Sequence, residues 1–290
     1  MERKIKTLEG VAANEVAEVF NDAFADYFIP FRLSEEQLIQ KMRVDKTDLS
    51  LSVGVFDNGQ LIAFILHGKD TINQQKVAYN GGTGVIPEKR GAGLAKQMYR
   101  FILPILAAKG INSLVLEVIS NNVQAIKSYK QSGFETRRKL LCYKGKIAAS
   151  TKNNEVKIKE LRNYDWELME SFWDILPTWQ NARSAIEEVK TTNVSLGASI
   201  ENQLVGYVIY SPSNRRIQQI AVHRDFRQKG IASTLVSVLV EAHGSTIFII
   251  NVDENSTPVN AFLKKIGLEM SLEQMEMELK IEKTDIFTVH

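Results

Sequence analysis

The sequence predicts a mixed α/β protein built from two similar halves, each a central sheet flanked by helices. Three observations carry that expectation. Two β-rich runs surround Asp57-Asn58-Gly59 in the first half and Glu201-Asn202-Gln203 in the second, and both read as hairpins. After each hairpin come a strand, a turn containing glycine and an amphipathic helix, then a nearly continuous apolar strand. Equivalent residues recur at nearly constant offsets: Arg90 and Arg227 lie 137 residues apart, and Gly133 and Gly267 lie 134 apart.

The elements follow in order. Leu94, Met98, Phe101, Ile102 and Ile105 line one face of the first helix, and Ile231, Leu235, Val238 and Leu239 line one face of the second. Gly110 and Gly244 are the expected stops, and Pro104 should kink the first helix. Buried strands are expected over Leu114 to Ile119 and Thr246 to Val252. Each precedes a further helix ending in Ser132-Gly133-Phe134 or Ile266-Gly267-Leu268, then a closing pair of strands. Strand, helix, strand is the pattern of a βαβ crossover. The 290 residues suit two domains, at 1–148 and 155–290, joined by a small, polar linker near Ser150 to Asn154.

Composition narrows the function. There are 36 basic and 34 acidic residues, well mixed, for a net charge of +2, and no basic stripe of the kind nucleic acid requires. One cysteine, Cys142, and four scattered histidines show no metal-ligand spacing. No apolar run approaches the ~20 residues that span a bilayer, and the N-terminus lacks an apolar leader segment. The expectation is a cytoplasmic protein with no metal, no nucleic acid and no membrane partner. Its oligomeric state cannot be read from the chain.

The turn Arg90-Gly91-Ala92-Gly93-Leu94-Ala95 lies between a strand and a helix start. Small residues admit an anion close to the backbone, and the first helical N–H groups have no partner of their own. With the helix dipole, this makes a phosphate cradle. The P-loop pattern is absent, and the dinucleotide pattern fails at Lys96.

The run V-I-P-E-K-R-G-A-G-L-A resembles the acyl-CoA-binding motif of the GNAT superfamily of N-acetyltransferases, R-x-x-G-x-[GA]. Arg90, Gly93 and Ala95 take its three places, and Arg227, Gly230 and Ala232 take them again. The resemblance runs from about Ile5 to Leu279. It implies two tandem domains, each with a mixed, mostly antiparallel sheet, and acetyl-CoA as cofactor. Its pyrophosphate would sit on the amides of the turn. Its pantetheine arm would pair with Thr83, Gly84 and Val85 in the first half, and with the strand ending at Val222 in the second.

The segment N-N-V-Q-A-I-K-S-Y-K-Q-S-G-F resembles the second motif of the same family, N-x-x-A-x-x-x-Y-x-x-x-G-F. By that resemblance, Tyr129 would protonate the CoA sulfur and Asn122 would bind the cofactor arm. The second half has Phe262 or Leu263 where the tyrosine should be, so the chemistry is expected in the first half. The strand before the turn has no carboxylate to relay the amine proton. Glu117, on the next strand, is the candidate base, and Asp22, Asp26, Tyr27 and Phe31 are candidates for the acceptor site. The implied activity is acetyl transfer from acetyl-CoA to the primary amine of a small molecule or peptide. The alternative is an acyl-CoA sensor or scaffold without turnover.

Overall fold

The computed structural model describes residues 3–27, 32–147 and 152–282. Its strands are β1 (Arg3–Thr7), β2 (Val53–Asp57), β3 (Gln60–Ile72), β4 (Gln75–Val85), β5 (Ser113–Ile119), β6 (Glu135–Lys146), β7 (Lys157–Glu160), β8 (Val194–Ile200), β9 (Gln203–Ser211), β10 (Arg216–Val222), β11 (Thr246–Asp253) and β12 (Glu269–Lys280). The helices are α1 (Ala13–Phe24), α2 (Glu35–Val44), α3 (Leu94–Ala108), α4 (Val123–Gln131), α5 (Trp166–Glu170), α6 (Arg183–Glu188), α7 (Ile231–His243) and α8 (Thr257–Lys265).

The chain forms two compact units, and they do not follow its linear halves. Unit 1 is Met1–Arg137 together with Met275–His290, and unit 2 is Arg138–Gln274. A closing pair of strands was expected in each half. Instead each half ends in one long strand, β6 or β12, and each of these strands divides between the units. The end of β12 therefore completes unit 1, where Met277 is fully buried in the core. Most of β6 completes unit 2, where Tyr143 is buried.

In unit 1 the strand order is β1-β2-β3-β4-β5-β12. Neighbours β1 to β4 are antiparallel, and β4 with β5 is parallel. Asn58 and Gly59 both have positive φ, 50° and 88°, which is the hairpin turn that Asp57-Asn58-Gly59 predicts. One face of the sheet packs on α3 and α4 through Leu94, Met98, Ile102 and Leu106. The other packs on α1 and α2. Val16, Phe20 and Ala23 form the α1 stripe, and the Phe20 ring stacks on Phe64 with centroids 5.6 Å apart. Helix α2 opens with a capping box: Gln37 N–H donates to the Ser34 hydroxyl, and Ser34 N–H donates to the Gln37 side chain. Helix α3 runs as one element with Pro104 inside it.

Unit 2 repeats the plan, with strand order β6-β11-β10-β9-β8-β7 and the first part of β12 beside β6. The pair β10 with β11 is parallel. Glu201 and Asn202 have positive φ at the matching hairpin. Helices α7 and α8 cover one face, while the shorter α5 and α6 cover the other against Tyr207 and Ile209.

Candidate active site

In both units the two parallel strands separate partway along. Strand β4 pairs with β5 only through Val77↔Ser113, Ala78↔Leu114 and Tyr79↔Val115. Strand β10 pairs with β11 only through Arg216↔Phe248 and Ile217↔Ile249. At the point of separation each upstream strand carries one extra residue. Gly81 is the bulge of β4 against β3, and Gln218 is that of β10 against β9. These positions are 137 residues apart, the same offset as the turn motif. Beyond the bulge, Thr83, Gly84 and Val85 pair with β3 on one side, leaving their other edge toward the split. Gly84 also has no room for a side chain: a Cβ there would lie 2.5 Å from Phe64 and 2.9 Å from Ala23.

The turn after the split is a left-handed entry into a helix. In unit 1, Gly91 and Gly93 have φ of 77° and 68°, and Gly93 is the N-cap of α3. The first helical bond runs from Gln97 N–H to Gly93 O, so the preceding amides have no acceptor within the helix. A Cβ on Gly91 or Gly93 would meet nothing within 4 Å, so backbone conformation rather than crowding is what asks for glycine there. Ala92 and Ala95 keep the same rim small, and Leu94 turns inward to the core. Unit 2 holds the same path with Gly230, φ 76°, as the N-cap of α7, but a glutamine, Gln228, with φ 59°, stands where Gly91 stands. The cradle therefore fits a pyrophosphate in both units.

The motif arginines each form a clamp. Arg90 makes a two-pronged bond to Asp26, 2.7 Å on each prong, and donates to the carbonyls of Ala23 and Val85. That pairing raises the arginine's pKa and holds Asp26 below the usual carboxylate range. Arg227 repeats the clamp with Asp174 and the carbonyls of Phe172 and Val222. Both arginines thus tie the strand end to the segment that follows the first helix of their unit. Asp26, a candidate for the acceptor site, has its carboxylate engaged with Arg90. Asp174 was missed, because nothing local marks a residue 53 positions away as a partner.

Tyr129 lies buried on α4, edge-on to Tyr99 and Phe134. Burial pushes its phenol up, opposed by the nearby Thr83 and Asn80 side chains and reinforced by Tyr27. It stays protonated at neutral pH. Asn80 stands behind it: its Oδ1 accepts from Gly82 N–H, which fixes the amide, and its Nδ2 donates to Thr83 Oγ1 and to the Tyr99 hydroxyl. Asn122 is the N-cap of α4, its Oδ1 accepting from Ala125 N–H. Glu117 sits past the last ladder pair and accepts from the Tyr79 hydroxyl at 2.7 Å. Of the acceptor candidates, Tyr27 is the one felt by Tyr129, Asp22 is exposed, and Phe31 lies outside the described residues.

Unit 2 lacks these groups. Helices α4 and α8 are offset by 134 at both ends, so Leu263 takes the place of Tyr129, which resolves the choice between it and Phe262. Leu263 is fully buried. Arg216 takes the place of Tyr79, and Ile250 and Asn251 fall where Glu117 falls. Residues 178–181 staple the split on that side: Gln219 Nε2 donates to Asn181 O, Asn181 Nδ2 to Ile250 O, and Asn251 Nδ2 to Thr178 Oγ1. A cleft of about 1000 Å³ remains, running from Gln219 and Val222 past Gly230 and Ala232 to Phe262.

The chain belongs to the acetyltransferase (GNAT) family, which matches residues 16–134 and 158–268. The chemistry of that family is acyl transfer, and acyl-CoA is what it generally binds. The fold is shared with a GCN5-related N-acetyltransferase from Sphaerobacter thermophilus, at TM-score 0.72 and 16% identity over 99% of this chain and 98% of that one. It is shared equally with a tandem GNAT protein from the clavulanic acid biosynthesis pathway, at TM-score 0.72 and 12% identity, covering 98% and 100%. A protein from Pyrococcus horikoshii aligns at TM-score 0.68 and 15% identity, covering 97% and 91%. Among the described residues, no helix is long and apolar enough to cross a membrane.

Proposed function

We propose that the protein transfers the acetyl group of acetyl-CoA to a primary amine, and that unit 1 carries the transfer. The observation behind this reading is the asymmetry of the two splits. A protonated phenol and a carboxylate, Tyr129 and Glu117, belong to the split of unit 1, whereas Leu263 and Ile250–Asn251 stand in their places in unit 2. Bound acyl-CoA would supply a thioester whose carbonyl carbon accepts the amine and whose sulfur departs. The amides of Gly91 to Ala95 hold the pyrophosphate, and the free edge of Thr83 to Val85 holds the arm. Glu117 takes up the ammonium and its proton, and Tyr129 holds a proton for the sulfur. Acceptors in reach of this chemistry are small-molecule or peptide amines.

A second reading has one observation in its favour. The open cleft of unit 2, with its complete cradle, suits acyl-CoA held without turnover, as a sensor or scaffold would hold it.

Isothermal titration of acetyl-CoA into the wild type, Gly93→Glu and Gly230→Glu separates the two. A carboxylate in either turn repels the pyrophosphate. Loss of binding and of thiol release with an amine panel in Gly93→Glu alone supports transfer in unit 1. If only Gly230→Glu abolishes both, the working unit is the other one. Binding by the wild type with no thiol release from any amine leaves the sensor.

A further inference from the structure

Tyr79 is the last residue of β4 paired with β5, opposite Val115. Glu117 lies two residues further along β5, so its side chain leaves the sheet on the same face as Val115. The Tyr79 ring thus reaches along the mouth of the split, and its hydroxyl donates to Glu117 Oε2 at 2.7 Å. Tyr79 itself is buried, while Glu117 is half-buried. A donor on a carboxylate in such a setting makes a charge-assisted bond, favours the charged form and fixes its orientation.

The ring is held from behind. Gly81 packs against it, since a Cβ at Gly81 would lie 3.5 Å from Tyr79 Cε1 and 2.7 Å from Asp45 Oδ2. Lys41 of α2 donates to Gly81 O at 2.8 Å and pairs with Asp45, which is buried. Charged groups near Tyr79 include Glu117 of β5 and, across Gly81, the Asp45–Lys41 pair of α2. Lys41 binds both Asp45 and the bulge carbonyl, while Glu117 lies past the last β4–β5 pair, at the mouth.

We propose that Tyr79 is a positioning residue for amine recognition, holding the Glu117 carboxylate at the mouth of the β4–β5 split as the counter-ion of the acceptor's ammonium. This rests on the reading of unit 1 as the transfer site.

The test uses the full chain labelled with carboxyl-13C glutamate, the Glu117 resonance being assigned by its loss in Glu117→Gln. In Tyr79→Phe, an isosteric change, the pH midpoint of that resonance rises by about one unit relative to wild type. n-Butylamine perturbs the resonance in wild type, and at least tenfold more amine is needed in Tyr79→Phe. An unchanged midpoint, or a resonance indifferent to the amine, overturns the proposal. Turnover adds a second arm. With the amine that releases thiol fastest, Tyr79→Phe raises KM about tenfold and leaves kcat near wild type, and it does nothing further in a Glu117→Gln background. Equal losses in both backgrounds make Tyr79 merely structural and overturn the proposal. If wild type releases no thiol with any amine while the resonance behaves as described, it is the transfer reading that falls.

Discussion

Units 1 and 2 share a scaffold, with the bulge and the turn at one common offset. Both have a hairpin, a bulge 137 residues apart, a split between parallel strands, an arginine clamp and a left-handed turn into a helix. They differ at the split. Unit 1 places Tyr79, Glu117 and Tyr129 there, while unit 2 places Arg216, Ile250, Asn251 and Leu263 there and staples one side with residues 178–181. The same turn geometry thus recurs in unit 2 where the phenol and carboxylate of the unit 1 split have no counterparts. Turn geometry and the side chains of the split vary independently, because the first depends on main-chain conformation and the second on residue identity.

The largest effect expected concerns which chain segment stabilises which unit. Met277→Ala empties a fully buried position of unit 1 from the far end of the sequence and should cost about 3 kcal/mol. Hydrogen exchange should quicken in β4 and β5 and stay unchanged in β10 and β11. Tyr143→Ala should do the reverse, losing its core packing and its hydroxyl bond to Asn260. Exchange that quickens in the sequence half bearing the mutation would break the division into units.

Acid sensitivity should be confined to unit 1. His67 is fully buried, with Nδ1 against Leu51 O, and burial lowers its pKa from 6.5 to about 4. Between those values the unfolded chain binds a proton that the folded one refuses. The neutral imidazole therefore favours folding fully above about pH 6.5, and that contribution drains away as pH falls toward 4. About 3 kcal/mol is at stake. Denaturant midpoints of wild type should fall across this window, and those of His67→Gln should fall less. Unit 2 has Tyr210 at the matching place before its bulge, and a tyrosine does not titrate there.

Next in size, Tyr129→Phe should lower kcat about 100-fold if the phenol delivers the proton. Leu263→Phe should leave kcat alone. Comparable losses in both would erase the functional asymmetry. Smallest is the turn itself. Gly91→Ala puts a Cβ on a left-handed residue in open space and should cost about 1 kcal/mol by thermal melting. Gln228→Gly should gain less than that, since glycine also loosens the unfolded chain.

Much of this was legible in the linear chain because it is local. A hairpin turn at Asp57-Asn58-Gly59, small-residue turns running into α3 and α7, and the stripe on α3 are set by residues a few positions apart. Family motifs likewise singled out Tyr129 and the two turns as candidates. Other features required distant segments to meet. The carboxylate of Asp26 meets Arg90, 64 positions on, and Arg227 meets Asp174, 53 positions back. Tyr79 carried no signal of its own, since an aromatic in a strand reads as core.

Sequence alone, then, determined the doubled architecture, the conformations of the turns and the difference between Tyr129 and its counterpart, because periodicity, φ preference and residue identity are properties of neighbouring positions. Tertiary structure decided that β6 and β12 each divide between the units, that both arginines act as clamps, and that Tyr79 meets Glu117. Those outcomes depend on which buried faces and unpaired polar groups come together across tens to more than a hundred residues, and packing chooses them only when the sheets assemble.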